Sequence, residues 1–251
     1  ILPEIEIEAA WWEGKLPYID EDKLMLSFAA YPQRPIGINT ELARKEELTA
    51  AYDLLNPRWK EKIMMGDPTI GGSASKWFGV MVEKEHGPIL GLDYMKKLVA
   101  QKPVIIRDRR LGTEWLVRGK YPIGLGMQFS TIIREMEMLG ISVPFTEIMF
   151  KEGGYITSGY SILALMNKAP HPNAARVFIN WLLSREGQFI YSKAVGFQST
   201  RIDIPETDKI DKSIEKREPG VKYINSERER YLLKTSEYVE LVREIFAPLL
   251  R

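Results

Sequence analysis

The sequence predicts an α/β protein with mixed sheets, and three observations carry that prediction. Helical stretches alternate with short apolar runs along most of the chain, the pattern of helices packed on a sheet. Of the 251 residues 45% are hydrophobic and 27% charged, which supplies a sizeable core and excludes a disordered or fibrous chain. No apolar run approaches the roughly 18 residues that a membrane-spanning helix needs.

The elements follow in order. Trp11-Trp12-Glu13-Gly14 and Leu16-Pro17-Tyr18 read as surface turns leading into a strand, Leu24-Met25-Leu26-Ser27-Phe28-Ala29-Ala30. Residues 36–39 form a second extended piece, because Pro35 and Gly37 disfavour helix on either side. Helices are predicted over 40–47, 73–86, 92–101, 112–118, 131–139 and 173–183. Strands are predicted over 63–65, 104–106, 123–125 and 162–165. In the helix from Asn173, Val177, Phe178, Trp181 and Leu182 form one apolar stripe, which is expected to be core. The tail over 227–246 is amphipathic through Tyr231, Leu232, Tyr238, Leu241, Ile245 and Phe246, and is expected to dock on the body.

Lys and Arg number 35 against 34 Asp and Glu, a net charge of +1, so the chain lacks the basic excess of a general nucleic-acid binder. Cysteine is absent, which removes disulfides, thiolate metal sites and Cys nucleophiles. The two histidines, His86 and His171, have no partners at metal-ligand spacing, so neither a metal nor a cofactor site is readable. There is no Gly-x-Ser-x-Gly elbow, and nothing selects an acid/base pair from the carboxylates; Asp53, Asp67 and Asp108 read as turn or capping residues. No enzyme is expected. Ile1-Leu2-Pro3-Glu4 opens without a basic segment followed by an apolar one, so no export signal is visible.

The stretch Met65-Gly66-Asp67-Pro68-Thr69-Ile70-Gly71-Gly72-Ser73-Ala74-Ser75 follows a strand and opens a helix. Free N–H groups of a first helical turn point outward and bind anions, and the hydroxyls of Thr69, Ser73 and Ser75 add donors. The same residues also suit an ordinary turn and N-cap. Tyr121-Pro122-Ile123-Gly124-Leu125-Gly126-Met127-Gln128-Phe129-Ser130 repeats the strand, glycine and helix-start arrangement and would set Gln128 at a strand's carboxyl end, where open α/β sheets place ligands. Arg107, Arg109 and Arg110 flank the strand at 104–106 and suit either an anion clamp or a salt-bridged face. The candidate ligand-binding residues are therefore Thr69, Gly71, Gly72, Ser73, Ala74, Ser75, Arg109 and Gln128, with Trp77 and Phe129 as apolar walls.

Three ordered motifs then resemble a known family. They are Tyr52-Asp53-Leu54-Leu55-Asn56-Pro57-Arg58-Trp59-Lys60-Glu61-Lys62 with the Met64-Met65-Gly66-Asp67-Pro68 that follows, Glu114-Trp115-Leu116-Val117-Arg118-Gly119-Lys120-Tyr121-Pro122, and Pro170-His171-Pro172-Asn173-Ala174-Ala175 running on to Asn180-Trp181-Leu182-Leu183-Ser184-Arg185-Glu186-Gly187. Together they resemble the extracellular solute-binding proteins of ABC importers, in the branch that includes ferric-iron binders. The resemblance implies a two-lobed periplasmic-binding fold with mixed sheets whose lobes close over a solute. It implies a remnant of lobe I and a first crossing in 1–38, lobe II in 39–155, a return to lobe I in 156–200 and a C-terminal helical tail in 201–251. Whole members carry further βα units ahead of the point matching Ile1, so lobe I is incomplete in this chain. The open sheet edge is expected to favour self-association.

The resemblance also implies a membrane permease as partner, a periplasmic or membrane-anchored extracellular location, and no catalysis. A receptor's ligand-sensing domain with the same fold, or an enzyme acting on a phosphorylated small molecule, are the alternatives. Ferric binders of the branch carry adjacent tyrosines at the loop matched here by Met127-Gln128-Phe129-Ser130, and without those phenolates iron is not expected. The expected ligand is a small anionic or phosphorylated solute.

Overall fold

The computed structural model describes residues 3, 5–34, 36–70, 72–82, 90–159, 161–205, 217–218 and 220–250. The chain divides into two units, Ile1–Pro32 with Ile156–Leu232, and Gln33–Tyr155 with Leu233–Arg251.

The apolar run from Leu24 is two strands, β1 (Met25–Ser27) and β2 (Ala29–Gln33). They separate at Phe28, whose N–H donates to the carbonyl of Ser161 and whose carbonyl accepts from Thr200, so the extended chain changes neighbours there. The second unit then builds a sheet from β3 (Ile36–Asn39), β4 (Ile63–Gly66), β5 (Val104–Ile106), β6 (Ile123–Leu125) and β7 (Phe145–Ile148), in the order β5-β4-β6-β3-β7. The central β4 is parallel to β5 and β6, while β3 is antiparallel to β6 and β7. Parallel neighbours require crossovers. These are α1 (Ser73–Val82) and α2 (Gly91–Ala100) between β4 and β5, and α3 (Arg109–Val117) between β5 and β6; α4 (Ser130–Met138) follows β6. Ile63, Met64, Met65, Ile123 and Leu125 are all fully buried, the uniformly apolar runs of parallel strands covered on both faces.

Two glycines decide the packing of this core. Gly37 of β3 and Gly124 of β6 are register partners. The ring of Phe129 lies over both, so near that a Cβ on Gly124 would stand 2.5 Å from its Cζ and one on Gly37 2.9 Å from its Cδ2. An aromatic ring covering a cross-strand glycine pair restores the packing that the missing side chains leave out.

The helix expected over 40–47 is reduced to a single 3-10 turn, Lys45–Glu47. The side chain of Asn39 accepts the N–H of Glu41 and donates to the carbonyls of Leu116 and Val117 at the end of α3. That competition for backbone groups replaces a longer helix. Glu47 then binds the N–H of Arg44 and, at 2.6 Å, the guanidinium of Arg58.

The first unit resumes with β8 (Gly154–Thr157), β9 (Ile162–Ala164), α5 (Pro172–Leu183), α6 (Arg185–Val195), β10 (Gln198–Ser199), β11 (Tyr223–Asn225) and α7 (Glu229–Leu233). β1 pairs antiparallel with β9, and a four-stranded sheet runs β10-β2-β8-β11. Its core gathers Ile5, Ala10, Trp11, Leu26, Phe28, Leu182 and Leu183. Trp11 thus belongs to the interior and not to a surface turn: it is fully buried, and its Nε1–H donates to the carbonyl of Ile5 at 2.8 Å. The stripe expected as core on α5 is also corrected. Only Leu182 of the four is buried, whereas Val177 is 72% exposed and Phe178 and Trp181 are exposed as well. Periodicity identifies an apolar face but not whether anything covers it.

In the second unit α8 (Thr235–Phe246) packs on α1. Gly79 allows the approach, since a Cβ there would stand 2.8 Å from the Tyr238 ring, and Phe78 meets Phe246 at 5.2 Å between centroids. The expected helix over 73–86 is described as far as Val82. Among the described residues no helix is long and apolar enough to cross a membrane.

Removing the Phe129 ring empties a fully buried volume, so Phe129→Ala is expected to cost about 3–5 kcal/mol and Gly124→Ala, which overpacks the same site, about 1–3 kcal/mol. The double variant should lose less than the sum, because the new methyl enters vacated space; chemical denaturation checks this, and strict additivity would contradict the packing described. The Glu47 carboxyl is held down to about 2 by the Arg44 N–H and the Arg58 guanidinium. Its folded value lies below the unfolded one, so its stabilisation is complete above the ordinary value of 4.5 and disappears as pH falls toward 2. Melting temperatures of wild type and Glu47→Gln should therefore converge over that interval.

Candidate functional site

β4, β5 and β6 run in parallel and end together. The residues that follow them, Asp67, Arg107 and Gly126, gather at the carboxyl edge of the sheet, where α/β folds leave a crevice. A cavity of about 230 Å³ opens there, lined by Gly66, Asp67, Gly72, Ala74, Arg107, Arg109 and Gln128 among others.

Its floor is made of residues with almost no side chain. A Cβ on Gly66 would stand 2.9 Å from the carbonyl oxygen of Gly126, and one on Gly126 would stand 2.9 Å from the Cβ of Ala74. Gly126 also has φ +67°, a left-handed conformation that costs glycine nothing. The β4 end, the loop after β6 and the first turn of α1 therefore approach one another to van der Waals contact.

Above that floor stands the start of α1. Lys76 N–H bonds to the carbonyl of Gly72, which makes Gly72 the cap and Ser73 the first helical residue. The N–H groups of Ser73, Ala74 and Ser75 have no carbonyl within the helix to bind, and they carry the positive end of its dipole. Ser75 Oγ is turned back on Gly72, donating to its carbonyl and accepting its N–H, both at 3.0 Å. It therefore tightens the cap.

Charge enters from two strand ends. Asp67 makes an Asx turn through Pro68: its Oδ1 accepts the N–H and the hydroxyl of Thr69, at 2.9 and 2.6 Å. Its Oδ2 accepts the Nε–H of Arg107 at 2.8 Å. Burial alone raises the Asp67 carboxyl, but the Thr69 hydroxyl, Arg107 and the Thr69 N–H outweigh it and hold the group below its ordinary value of 3.8. The carboxylate is ionised and its side chain has no exposure, while Arg107 is 74% exposed. Arg109, the first residue of α3, is tied only loosely, its Nη1 donating to Gln128 Oε1 at 3.4 Å. Gln128 in turn donates to Gln33 Oε1 at 3.2 Å. Arg110 turns elsewhere and pairs with Glu135.

Of the candidate residues, Gly72, Ala74, Arg109 and Gln128 line the cavity. Thr69 is buried on Asp67, and Ser75 on Gly72. Ser73 begins α1, and Gly71 lies outside the described residues. Trp77 and Phe129 are placed differently from the apolar walls envisaged for them. Trp77 packs edge-on against Phe78 in the core, and Phe129 covers the glycine pair. Asp67, taken from sequence as a turn residue, and Arg107, placed only in a general arginine cluster, are the charged pair at the centre. The sequence shows only that each is the first residue beyond an apolar strand; that the two strands are parallel neighbours in register comes from the fold. Among the described residues no group of three His, Cys, Asp or Glu side chains is placed to hold a metal.

The arrangement offers backbone N–H groups, a helix dipole and two guanidinium groups around a small space, which suits an anion. Residues 26–225 match the family described as bacterial extracellular solute-binding protein. An uncharacterized protein of Haemophilus influenzae is 28% identical over 157 residues, 61% of this chain, and the chain's match spans only 43% of that relative's length. An ABC transporter protein from Clostridium perfringens aligns with 97% of the chain and 75% of its own at TM-score 0.68 and 17% identity. The periplasmic binding protein AfuA from Actinobacillus pleuropneumoniae, with exogenous fructose-6-phosphate bound, aligns with 98% of the chain and 75% of its own at 0.61 and 18%. Iron-bound HitA from Pseudomonas aeruginosa aligns over the same shares at 0.58 and 15%. At such identities the structural likenesses show the fold, the two-lobed one that the sequence led us to expect. The family match goes further: the chain belongs to the bacterial extracellular solute-binding proteins.

Proposed function

We propose that the second unit seats the anionic group of a small solute, and that the whole protein is the solute-capturing component of an ABC importer. In that role it works outside the cytoplasm, in the periplasm or at the cell's outer face, and hands its solute to a membrane permease without chemical turnover. The observation that carries the reading is the cavity at the ends of β4, β5 and β6, with the first turn of α1, Arg107 and Arg109 on its walls. The fructose-6-phosphate bound by AfuA supports a phosphorylated or otherwise anionic solute. The iron bound by HitA supports the other reading less well, since the loop over 127–130 holds Met127, Gln128, Phe129 and Ser130, with Phe129 committed to the core.

The test is calorimetric titration with inorganic phosphate, citrate and a hexose phosphate, alongside thermal melts. Ligand that binds only the folded state raises the melting temperature with concentration. Ser73→Pro separates the seat from the helix. Proline is well tolerated at a first helical position, so α1 should persist while one outward N–H is lost. Losing one charge-assisted hydrogen bond of roughly 1.5 kcal/mol should weaken binding about tenfold. Unchanged affinity in a folded Ser73→Pro protein would overturn the reading. Arg109→Ala should also weaken binding and flatten its dependence on salt, because the exposed charge it removes is strongly screened.

A further inference from the structure

Asp53, Asp67 and Asp108 all accept backbone N–H groups at local turns, yet one of them differs. Asp53 binds the N–H groups of Thr49 and Ala50 and the Thr49 hydroxyl, and Asp108 caps α3 through the N–H of Leu111; neither is buried. Asp67 is buried and, beyond its bonds to Thr69, reaches 40 residues along the chain to Arg107. An isolated carboxylate would serve the turn just as well at the surface. Burying one beside an anion seat is costly in itself and adds a repulsive charge.

The geometry explains the placement. Gly66 and Ile106 are register partners across parallel strands, and the Asp67 N–H donates to the carbonyl of Ile106 at 3.1 Å. Asp67 and Arg107 therefore leave adjacent strand ends side by side. The bond between them uses Nε of the guanidinium, and it is the one hydrogen bond that Arg107 makes among the described residues. An exposed arginine without a tether samples many rotamers, and an anion that binds it must first order it.

Resting on the anion-seat reading above, we infer that Asp67 is the positioning residue of the seat, holding Arg107 by Nε so that its two terminal nitrogens are presented to the solute's anionic group as a fixed fork. A planar guanidinium gripped at one edge keeps its outer edge for bidentate contact with phosphate or carboxylate. The carboxylate's own charge is taken up by Thr69 and Arg107, and its side chain has no exposure to solvent.

The sign of one substitution separates this role from its rivals. If Asp67 acted only as a nearby negative charge, Asp67→Asn would tighten anion binding; if it only closed a turn, affinity would stay the same. A positioning role predicts weaker binding. With inorganic phosphate as probe and the full chain as protein, Asp67→Asn should lose affinity by about five- to tenfold and lose nothing further in an Arg107→Gln background. Tighter or unchanged binding, or an equal loss in both backgrounds, overturns the positioning role and leaves the seat itself standing.

Should Asp67→Asn fail to fold, Arg107→Lys decides. It keeps the charge at an exposed position but has no Nε edge to be gripped, so it should bind as weakly as Arg107→Gln. Wild-type affinity in Arg107→Lys overturns the inference. Absence of both heat and a melting shift in the wild type, with phosphate, citrate and hexose phosphate alike, would instead remove the seat, and the positioning role with it.

Discussion

The second unit depends on the carbonyl of Gly126 being able to lie against the α-carbon of Gly66. That contact, 2.9 Å from where a Cβ on Gly66 would stand, draws the loop after β6 onto the end of β4, and Ala74 completes the closure from the first turn of α1. Three backbone segments meet there, with the Ala74 methyl and the Met127 side chain packed against them. Had Gly66, Gly126 or Ala74 carried a larger side chain, the strand ends would be held apart and the helix start would no longer overhang the space between them. Steric smallness on the floor of the cavity is thus what permits a concentration of polar backbone above it.

Electrostatics follow from that closure. A helix start brought to a strand end presents unpaired donors, and cations at neighbouring strand ends add charge at short range. The structure balances this concentration with one buried carboxylate, which joins the turn after β4 to the residue after β5. A site made only of donors and cations would repel itself in the absence of solute. Asp67 offsets that repulsion while taking only one edge of Arg107.

Much of this architecture was legible in the sequence, and the failures share a cause. The strands at 63–66, 104–106 and 123–125 are short apolar runs between breakers, and the helix that opens at Ser73 follows two glycines. β7 and β8, with polar residues such as Thr146, Glu147 and Thr157 among apolar ones, do not stand out from loop. Trp77 and Phe129 were read as apolar walls for a ligand; that Gly37 and Gly124 pair across two strands beneath Phe129 is a fact of register, absent from local spacing. Asp67 and Arg107 were each seen singly for the same reason. Their meeting depends on β4 and β5 being parallel neighbours. What α5 shows is the complementary limit: its apolar stripe was read correctly as a stripe, but cover is a property of the assembled molecule.

The packing of α8 on α1 carries a consequence for biosynthesis. The strands that bound the cavity and the helix that overhangs it are all encoded before residue 130, yet Tyr238 and Phe246, which cover the back of α1 at Gly79 and Phe78, come from far later in the chain. A ribosome delivers these pieces in order. Until the chain beyond residue 235 is present, Phe78 and Gly79 lack their α8 partners, so the packing of the helix that heads the cavity cannot be completed without the C-terminal part of the chain.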